Sequence, residues 1–146
     1  MLQMERISTN LTIQYLTQTD LIRYFNAKEA SPLIEQLLSN TDTKLAFVNR
    51  TNFEFTLDSI KTKFGNESNK NTIAKKAAYL ISSFIFGHPL ADGNKRTAAF
   101  LAELFLQIND IELLVSDGEF LTALIDLAAG RIHEKDIREF ILQNIR

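Results

Sequence analysis

The sequence predicts an all-α protein that forms a single domain over residues 1–146. A chain of 146 residues has the usual length of one domain. Only five glycines and two prolines interrupt it, which favours long helices. In the second half, apolar residues recur every three or four positions, as they do on a helix face. Eleven phenylalanines and no tryptophan predict a core of Phe, Leu and Ile.

Two helix starts are predicted in the first half. Thr17 and Asp20 have the spacing of a capping box, which predicts a helix that runs to about Asn26. Ser31-Pro32 resembles an N-cap followed by proline at the first helical position, so a second helix is expected over residues 33–38.

The next segment is compatible with a small β-hairpin. Residues 46–48 and 53–55 are mainly apolar and flank the polar residues 49–52, which could form its turn. Gly65-Asn66 predicts a break before the second half of the chain.

Two central helices are predicted on either side of a loop. From Ala77 onward the first is apolar on nearly every face, so it should be buried, and Gly87 and Pro89 should end it. The second should close at Asn109-Asp110. The periodic positions are Ile73, Ala77, Leu80, Ile81, Phe84 and Ile85, then Ala98, Leu101, Ala102 and Phe105.

Two further helices are expected to close the domain. Ser116 and Glu119 form a second capping box, before a helix over residues 120–129 that Gly130 should end. Apolar residues from Ile137 to Ile145 give the last helix one buried face, and His133 near its start is interpreted as a capping or surface residue.

Composition narrows the classes of function. The chain has no cysteine, which excludes disulfides, thiolate metal sites and thiol nucleophiles. A formal net charge of −2 provides no basic field for nucleic acid. Residues 1–14 lack the apolar run of a signal peptide, and polar residues interrupt every apolar stretch below membrane-spanning length. A cytoplasmic protein with no membrane or nucleic-acid partner is therefore expected.

The loop between the central helices holds residues suited to phosphate chemistry. His88 lies where the first helix stops, and histidine can accept a proton near neutral pH. Asp92 offers oxygen ligands of the kind that Mg²⁺ prefers. Gly93-Asn94 leads into the next helix, whose N-terminal N–H groups favour anions. Lys95-Arg96 adds two cations there, where cations are unfavourable unless an anion binds between them.

Each of these residues also has an ordinary structural interpretation. A histidine beside a proline is usually a turn residue, Asp-Gly usually forms a turn, and Lys-Arg is usually a solvated pair. The combination of base, metal ligand, anion site and cations within nine residues favours a site for phosphate transfer.

The segment HPLADGNKRTA resembles the active-site motif of the Fic/Doc superfamily, in particular its Doc branch, H-x-F-x-D-(A/G)-N-K-R-T-A. The likeness extends from about Ala78 to the C-terminus, and Leu90 departs from the family's Phe, which anchors the loop in the core. The resemblance implies a compact helical bundle around a central helix-loop-helix, with the hairpin as a flap.

The resemblance also implies a role for each loop residue. His88 would be the general base on a target hydroxyl, and Asp92 would bind Mg²⁺. Gly93-Asn94 would shape the anion hole, with the Asn94 side chain on phosphate oxygens, and Lys95-Arg96 would hold the phosphates of ATP.

The transferred group is expected to be a phosphoryl group. Adenylyl-transferring relatives have Gly where Lys95 stands and a second Arg where Ala99 stands, so both positions follow the Doc branch. The expected function is a growth-blocking toxin that phosphorylates Thr or Ser of a protein of the translation elongation factor type. AMP transfer is the alternative, and an inactive interaction module is a third.

The expected inhibitor is a separate antitoxin. Self-inhibited relatives carry a helix of the form (S/T)-x-x-x-E-(G/N), whose Glu pairs with the second Arg. The candidate segment, residues 31–36, ends Glu35-Gln36 and breaks that pattern, and Ala99 removes the Arg.

Overall fold

The computed structural model describes residues 21–146. This part of the chain forms six helices, in agreement with the all-α prediction. Residues 21–146 contain two isolated β-bridges, Phe47–Leu90 and Leu113–Ile145, and no strand. The helices are α1 (Ala27–Ser39), α2 (Arg50–Ser59), α3 (Lys70–Gly87), α4 (Asn94–Ile108), α5 (Asp117–Ala128) and α6 (Glu134–Gln143).

Helix α3 is the centre of the domain. Ten of its 18 residues are buried, as expected for a helix that is apolar on nearly every face. It packs against α2, α4, α5 and α6, while α1 packs against α2 and α4. Residues 88–93 join α3 to α4, and such a short connection keeps the two helices adjacent. The predicted central helix-loop-helix is therefore present.

The start of α1 differs from both predictions for this region. Residues 21–26 are not helical, so the predicted helix to Asn26 is wrong there, and its Thr17 to Asp20 portion lies outside the described residues. Instead, Asn26 is the N-cap of α1, in a reciprocal capping box with Glu29. The Glu29 N–H donates to Asn26 Oδ1 at 2.8 Å, and the Asn26 N–H donates to Glu29 Oε1 at 3.0 Å.

The predicted helix start at Ser31-Pro32 is also wrong, because both residues lie inside α1. The Asn26 box nucleates the helix earlier, and Pro32 is tolerated in the second turn although it supplies no N–H. The Ser31 hydroxyl donates to the Ala27 carbonyl at 2.7 Å instead of capping a new helix.

The β-hairpin with which the sequence of residues 46–55 was compatible does not form. Asn49 is the N-cap of α2 and accepts the Asn52 N–H at 3.0 Å, so residues 50–59 are helical. Phe53 and Leu57 are buried one turn apart, whereas Phe55 is 64% exposed. The local alternation at residues 53–55 resembled a strand, but the surface of α3 selects the helical spacing of Phe53 and Leu57.

Most of the remaining predicted boundaries are confirmed, but α5 begins at Asp117, before the expected residue 120. Ile145, which was expected on the last helix, lies beyond α6, because residues 144–146 pair with residues 112–114 instead. Gly65-Asn66 lies between α2 and α3, and α4 ends at Asn109. Ser116 caps α5 in a box with Glu119. His133 occupies the N-cap of α6, where its N–H donates to Asp136 Oδ2 at 2.8 Å. Within residues 21–146, none of the helices has the length and apolarity needed to cross a membrane.

Lys76 ties the end of α2 to the core. Its side chain is fully buried in α3, and Nζ donates to the carbonyls of Ile60 and Lys63 at 2.6 and 2.5 Å. The ammonium also lies 5.6 Å from the Tyr24 ring centroid. Burial lowers the pKa of Lys76. The lysine thus satisfies two carbonyls beyond the last turn of α2.

We expect Lys76→Met to lower the free energy of unfolding by about 1–3 kcal/mol, because methionine fills the space but leaves both carbonyls unpaired. Urea denaturation followed by circular dichroism measures the change. The control is Lys75→Met, since the neighbouring Lys75 is only half-buried. Equal stabilities of the two variants would show that the bonds from Lys76 contribute nothing.

Candidate active site

His88 terminates α3 in a left-handed conformation. Its φ and ψ are 50° and 55°, and its N–H donates to the Phe84 carbonyl at 3.0 Å. A left-handed residue directly after a helix turns the chain out of the helical path. The His88 side chain is exposed at that turn, so the end of the most buried helix presents an imidazole to solvent.

The loop after His88 is pinned between the core and the segment before α2. Leu90 is fully buried, so it anchors the loop in the core as predicted. The N–H groups of Val48 and Asn49 donate to the Pro89 carbonyl at 2.8 and 3.0 Å. The Ala91 N–H donates to the Ala46 carbonyl at 2.9 Å. Residues 46–48 therefore pair with the loop, where the sequence had suggested one arm of a hairpin.

Asn94 connects the two ends of the loop. Its side-chain Oδ1 accepts the Leu90 N–H at 3.0 Å, and Nδ2 donates to the Leu90 carbonyl at 2.8 Å. Asn94 is only 7% exposed. Because its amide bonds both backbone groups of Leu90, its orientation is fixed. A contact between this side chain and a phosphate, which the resemblance implied, stays a prediction.

The same amide contacts the histidine ring. Asn94 Nδ2 lies 3.3 Å from His88 Nδ1, and an amide nitrogen can only donate. In this contact His88 Nδ1 is the acceptor, which favours the neutral tautomer that carries its proton on Nε2. The ring is thus contacted from one side by the first residue of α4.

The N-terminus of α4 is open to an anion. Gly93 is its N-cap, and no side chain among residues 21–146 makes a capping hydrogen bond there. The first N–H groups of a helix without a cap favour negative charge. Asp92 lies beside this end, and its Oδ1 accepts the Gly93 N–H at 2.8 Å.

Gly93 is required for two reasons. Its φ is 84°, a left-handed conformation that other residues rarely adopt. A Cβ atom at this position would lie 2.7 Å from Leu38 Cδ2, because the end of α1 packs directly against the start of α4. Glycine thus allows both the turn into α4 and its contact with α1.

Two cations follow on the first turn of α4. Lys95 is exposed, and Arg96 is partly buried. Arg96 Nη1 donates to the hydroxyl of Thr41 at 2.7 Å. An unfavourable pair of cations at a helix N-terminus thus lies next to open N–H groups, as the sequence predicted.

These groups surround a cleft of about 580 Å³. One side is polar and contains all six residues predicted from the sequence: His88, Asp92, Gly93, Asn94, Lys95 and Arg96. The other side is apolar and comes from α3 and α5: Ile85, Phe86, Leu121, Ile125 and Ala128. The cleft can accept a molecule with an anionic end and an apolar portion.

Sequence reasoning missed Thr41 and Thr43, which line the cleft from the segment after α1. A threonine just beyond a helix carries no pattern that separates a binding residue from an ordinary one. The apolar residues of α5 were also missed, since their spacing is that of any core helix.

The side chains fit a magnesium ion only in a particular way. Within residues 21–146, no group of three or more His, Asp and Glu side chains could hold a metal by itself. Mg²⁺ is commonly held by one or two carboxylates together with substrate phosphates and waters. Asp92 has one oxygen on the Gly93 N–H and a second oxygen without a bond in this part of the chain, which fits that arrangement.

The fold and the cleft together define an all-α protein whose cleft lies where a short loop joins two central helices. The Fic/DOC family model matches residues 13–106, which is more than half of the chain, and the protein belongs to this family. Family members are generally enzymes that transfer nucleotide or phosphate groups, typically with ATP and Mg²⁺. The match includes most of the first half and the whole loop, and α5 and α6 lie beyond it. No curated protein matches the chain.

We expect Gly93→Ala to destabilise the protein by more than the roughly 1–2 kcal/mol of a left-handed alanine, because the new methyl group also meets Leu38. Thermal and urea denaturation measure the loss.

Two other glycines separate these contributions. Gly65 has a φ of 78°, and no atom lies within 4 Å of the point that an alanine methyl group would occupy, so Gly65→Ala should cost only the backbone strain. Gly118 lies in α5 at ordinary φ with free space, so Gly118→Ala should be neutral or stabilising. If Gly93→Ala costs no more than Gly65→Ala, the contact with Leu38 places no constraint on the loop.

Proposed function

We propose that this protein is a Doc-type toxin that uses Mg-ATP to phosphorylate a Thr or Ser hydroxyl of a protein target. The observation that supports it most is the single loop between α3 and α4. Within nine residues it presents a histidine, a carboxylate, an open helix N-terminus and two cations to one cleft.

The nucleotide phosphates would occupy the polar side of the cleft. The N–H groups that follow Gly93 at the start of α4 would receive phosphate oxygens, and Lys95 and Arg96 would neutralise their charge. Asp92 would hold Mg²⁺, which adds charge neutralisation when it is bound to the phosphates. Asn94 would complete the anion hole through its position next to Leu90 and His88.

His88 would act as the general base on the target hydroxyl. Its exposed ring at the edge of the cleft can reach a protein substrate that approaches from solvent. In the present arrangement Nδ1 is the free base, and it shares a long contact of 3.3 Å with Asn94. To accept a proton on Nε2, the neutral ring would first move its own proton from Nε2 to Nδ1. The contact between Nδ1 and Asn94 is long and therefore weak, so its loss would cost little.

The kinase is favoured over AMP transfer by Lys95 and Ala99. Lys95 would fill part of the anion site that glycine leaves open in adenylyl-transferring relatives. Ala99, which is 9% exposed on α4, supplies no positive charge where those relatives have a second Arg. Without that second Arg, the terminal phosphates of ATP would lack a charged partner in the orientation that AMP transfer requires. AMP transfer remains the second candidate, and the intact set of loop residues argues against an inactive interaction module.

The proposed target is a translation factor of the elongation type, and the proposed site of action is the cytoplasm. Phosphorylation of such a factor would block growth, so the cell would need an inhibitor. We propose a separate antitoxin with a disordered segment that folds on the toxin. Glu35, the only candidate for an internal lock on α1 that the sequence suggested, is exposed and lies outside the cleft.

The kinase proposal predicts that γ-labelled ATP, but not α-labelled ATP, transfers its label to a protein in a bacterial lysate. The γ-phosphorus forms a bond to the target oxygen, its bond to ADP breaks, and the hydroxyl proton goes to His88. Gel autoradiography measures the label. Label from the α position alone would instead favour AMP transfer.

His88→Ala should lower that transfer by about 10²- to 10⁴-fold, the usual contribution of a general base. Binding of Mg-ATP, measured by calorimetry, should change little because His88 is proposed to act on the target. The matched control is His133→Ala, which removes the chain's other histidine at the N-cap of α6. Full activity of His88→Ala would assign the base to another residue.

The antitoxin proposal predicts that induced expression of the chain alone stops bacterial growth. Glu35→Gly should be as toxic as the wild type, and His88→Ala should be harmless. Growth curves and colony counts measure toxicity. A harmless wild type together with a toxic Glu35→Gly would mean that the inhibitor is internal.

A further inference from the structure

The turn after α1 is bonded tightly to itself. The Leu38 carbonyl accepts the N–H groups of Thr41 and Thr43 at 3.0 and 3.1 Å and the Thr41 hydroxyl at 3.0 Å, in addition to the N–H of the C-cap Asn40. The side chain of Leu38 packs against Gly93 at the start of α4. The position of this turn relative to the N-terminus of α4 is therefore well defined.

The Thr41 hydroxyl lies between this turn and a cation of the cleft. Its one proton goes to the Leu38 carbonyl at 3.0 Å, which is nearer than the Thr43 hydroxyl at 3.4 Å, and it accepts from Arg96 Nη1 at 2.7 Å. Because a hydroxyl has a single proton, the first bond directs its lone pairs toward the guanidinium. Bonds run in one direction from Arg96 through Thr41 to Leu38.

We propose that Thr41 is a positioning residue that holds the Arg96 guanidinium ready for the phosphate group bound in the cleft. Arginine loses much rotational freedom when a ligand orders it, and a guanidinium held in advance loses less on binding. The assignment of this phosphate to ATP rests on the proposed function. The contact between Arg96 and Thr41 does not depend on the proposed function.

The two threonine variants that test this role differ in one group. Thr41→Val keeps the shape but removes the hydroxyl, and Thr41→Ser keeps the hydroxyl. The matched control is Thr62→Val, because the Thr62 hydroxyl also bonds the carbonyl three residues earlier, that of Ser59 at 3.3 Å, at the end of α2. Thr62 lies outside the cleft. Thr62→Val thus loses the same kind of local hydrogen bond as Thr41→Val, but the Thr62 hydroxyl accepts no bond from an arginine in residues 21–146.

The first measurement needs no ligand. Side-chain ¹⁵N relaxation of the Arg96 guanidinium, assigned with Arg96→Lys, should show a restricted group in the wild type and in Thr41→Ser. The group should be mobile in Thr41→Val and restricted in Thr62→Val. Equal mobility of Arg96 in the wild type and Thr41→Val would overturn the proposal.

The second measurement is the binding of Mg-ATP and of inorganic tripolyphosphate by calorimetry. Thr41→Val should raise both dissociation constants roughly two- to tenfold, the range for one side chain that the ligand itself must order. Thr41→Ser and Thr62→Val should match the wild type. Unchanged affinities in Thr41→Val would also overturn the proposal.

The two measurements separate this proposal from the proposed function. If Arg96 is released in Thr41→Val and affinity falls, but the wild type transfers no label from ATP, the positioning role holds and the kinase assignment is wrong. If label transfer occurs and Arg96 does not respond to Thr41→Val, the kinase assignment holds and the positioning role is wrong.

Discussion

Two hydrogen bonds between the Asn94 amide and the backbone of Leu90 hold the loop on which the whole cleft is built. They connect the first residue of α4 to a loop residue that is fully buried in the core. The same amide contacts His88, so one side chain relates the end of α3 to the start of α4. If this amide were removed, the side chain that fixes the position of the histidine relative to the open helix N-terminus would be lost.

The neighbouring segments hold that loop in place and leave its side chains accessible. Helix α3 is buried along most of its length, and the loop emerges where this helix stops. On one side, residues 46–49 pair with Pro89 and Ala91, and on the other, Leu38 packs against Gly93. The charged and titratable side chains of the loop are left accessible, so a fixed backbone presents groups that a bound molecule can reach.

The errors in sequence interpretation have a common cause. Residues 53–55 and Ser31-Pro32 both carry a local pattern that is real but weak, and a neighbouring element decided against it. Helix α3 provides an apolar surface that Phe53 and Leu57, one turn apart, can cover, so residues 50–59 became helical. Asn26 and Glu29 formed a reciprocal cap that began α1 before the serine-proline pair was reached. Local propensity competes with packing and capping, and the stronger interaction determines the result.

The sequence by itself determined the helical class, the two central helices and the chemistry of the loop. His88 to Arg96 span only nine residues, so the chain itself keeps these groups close whatever the rest of the domain does. Only the tertiary structure decided that Thr41 meets Arg96, because these residues are 55 positions apart and no periodicity connects them. The apolar side of the cleft likewise exists only because α5 packs near the end of α3. Groups that are close in sequence can be assigned from the sequence, whereas contacts between distant segments depend on how the helices pack.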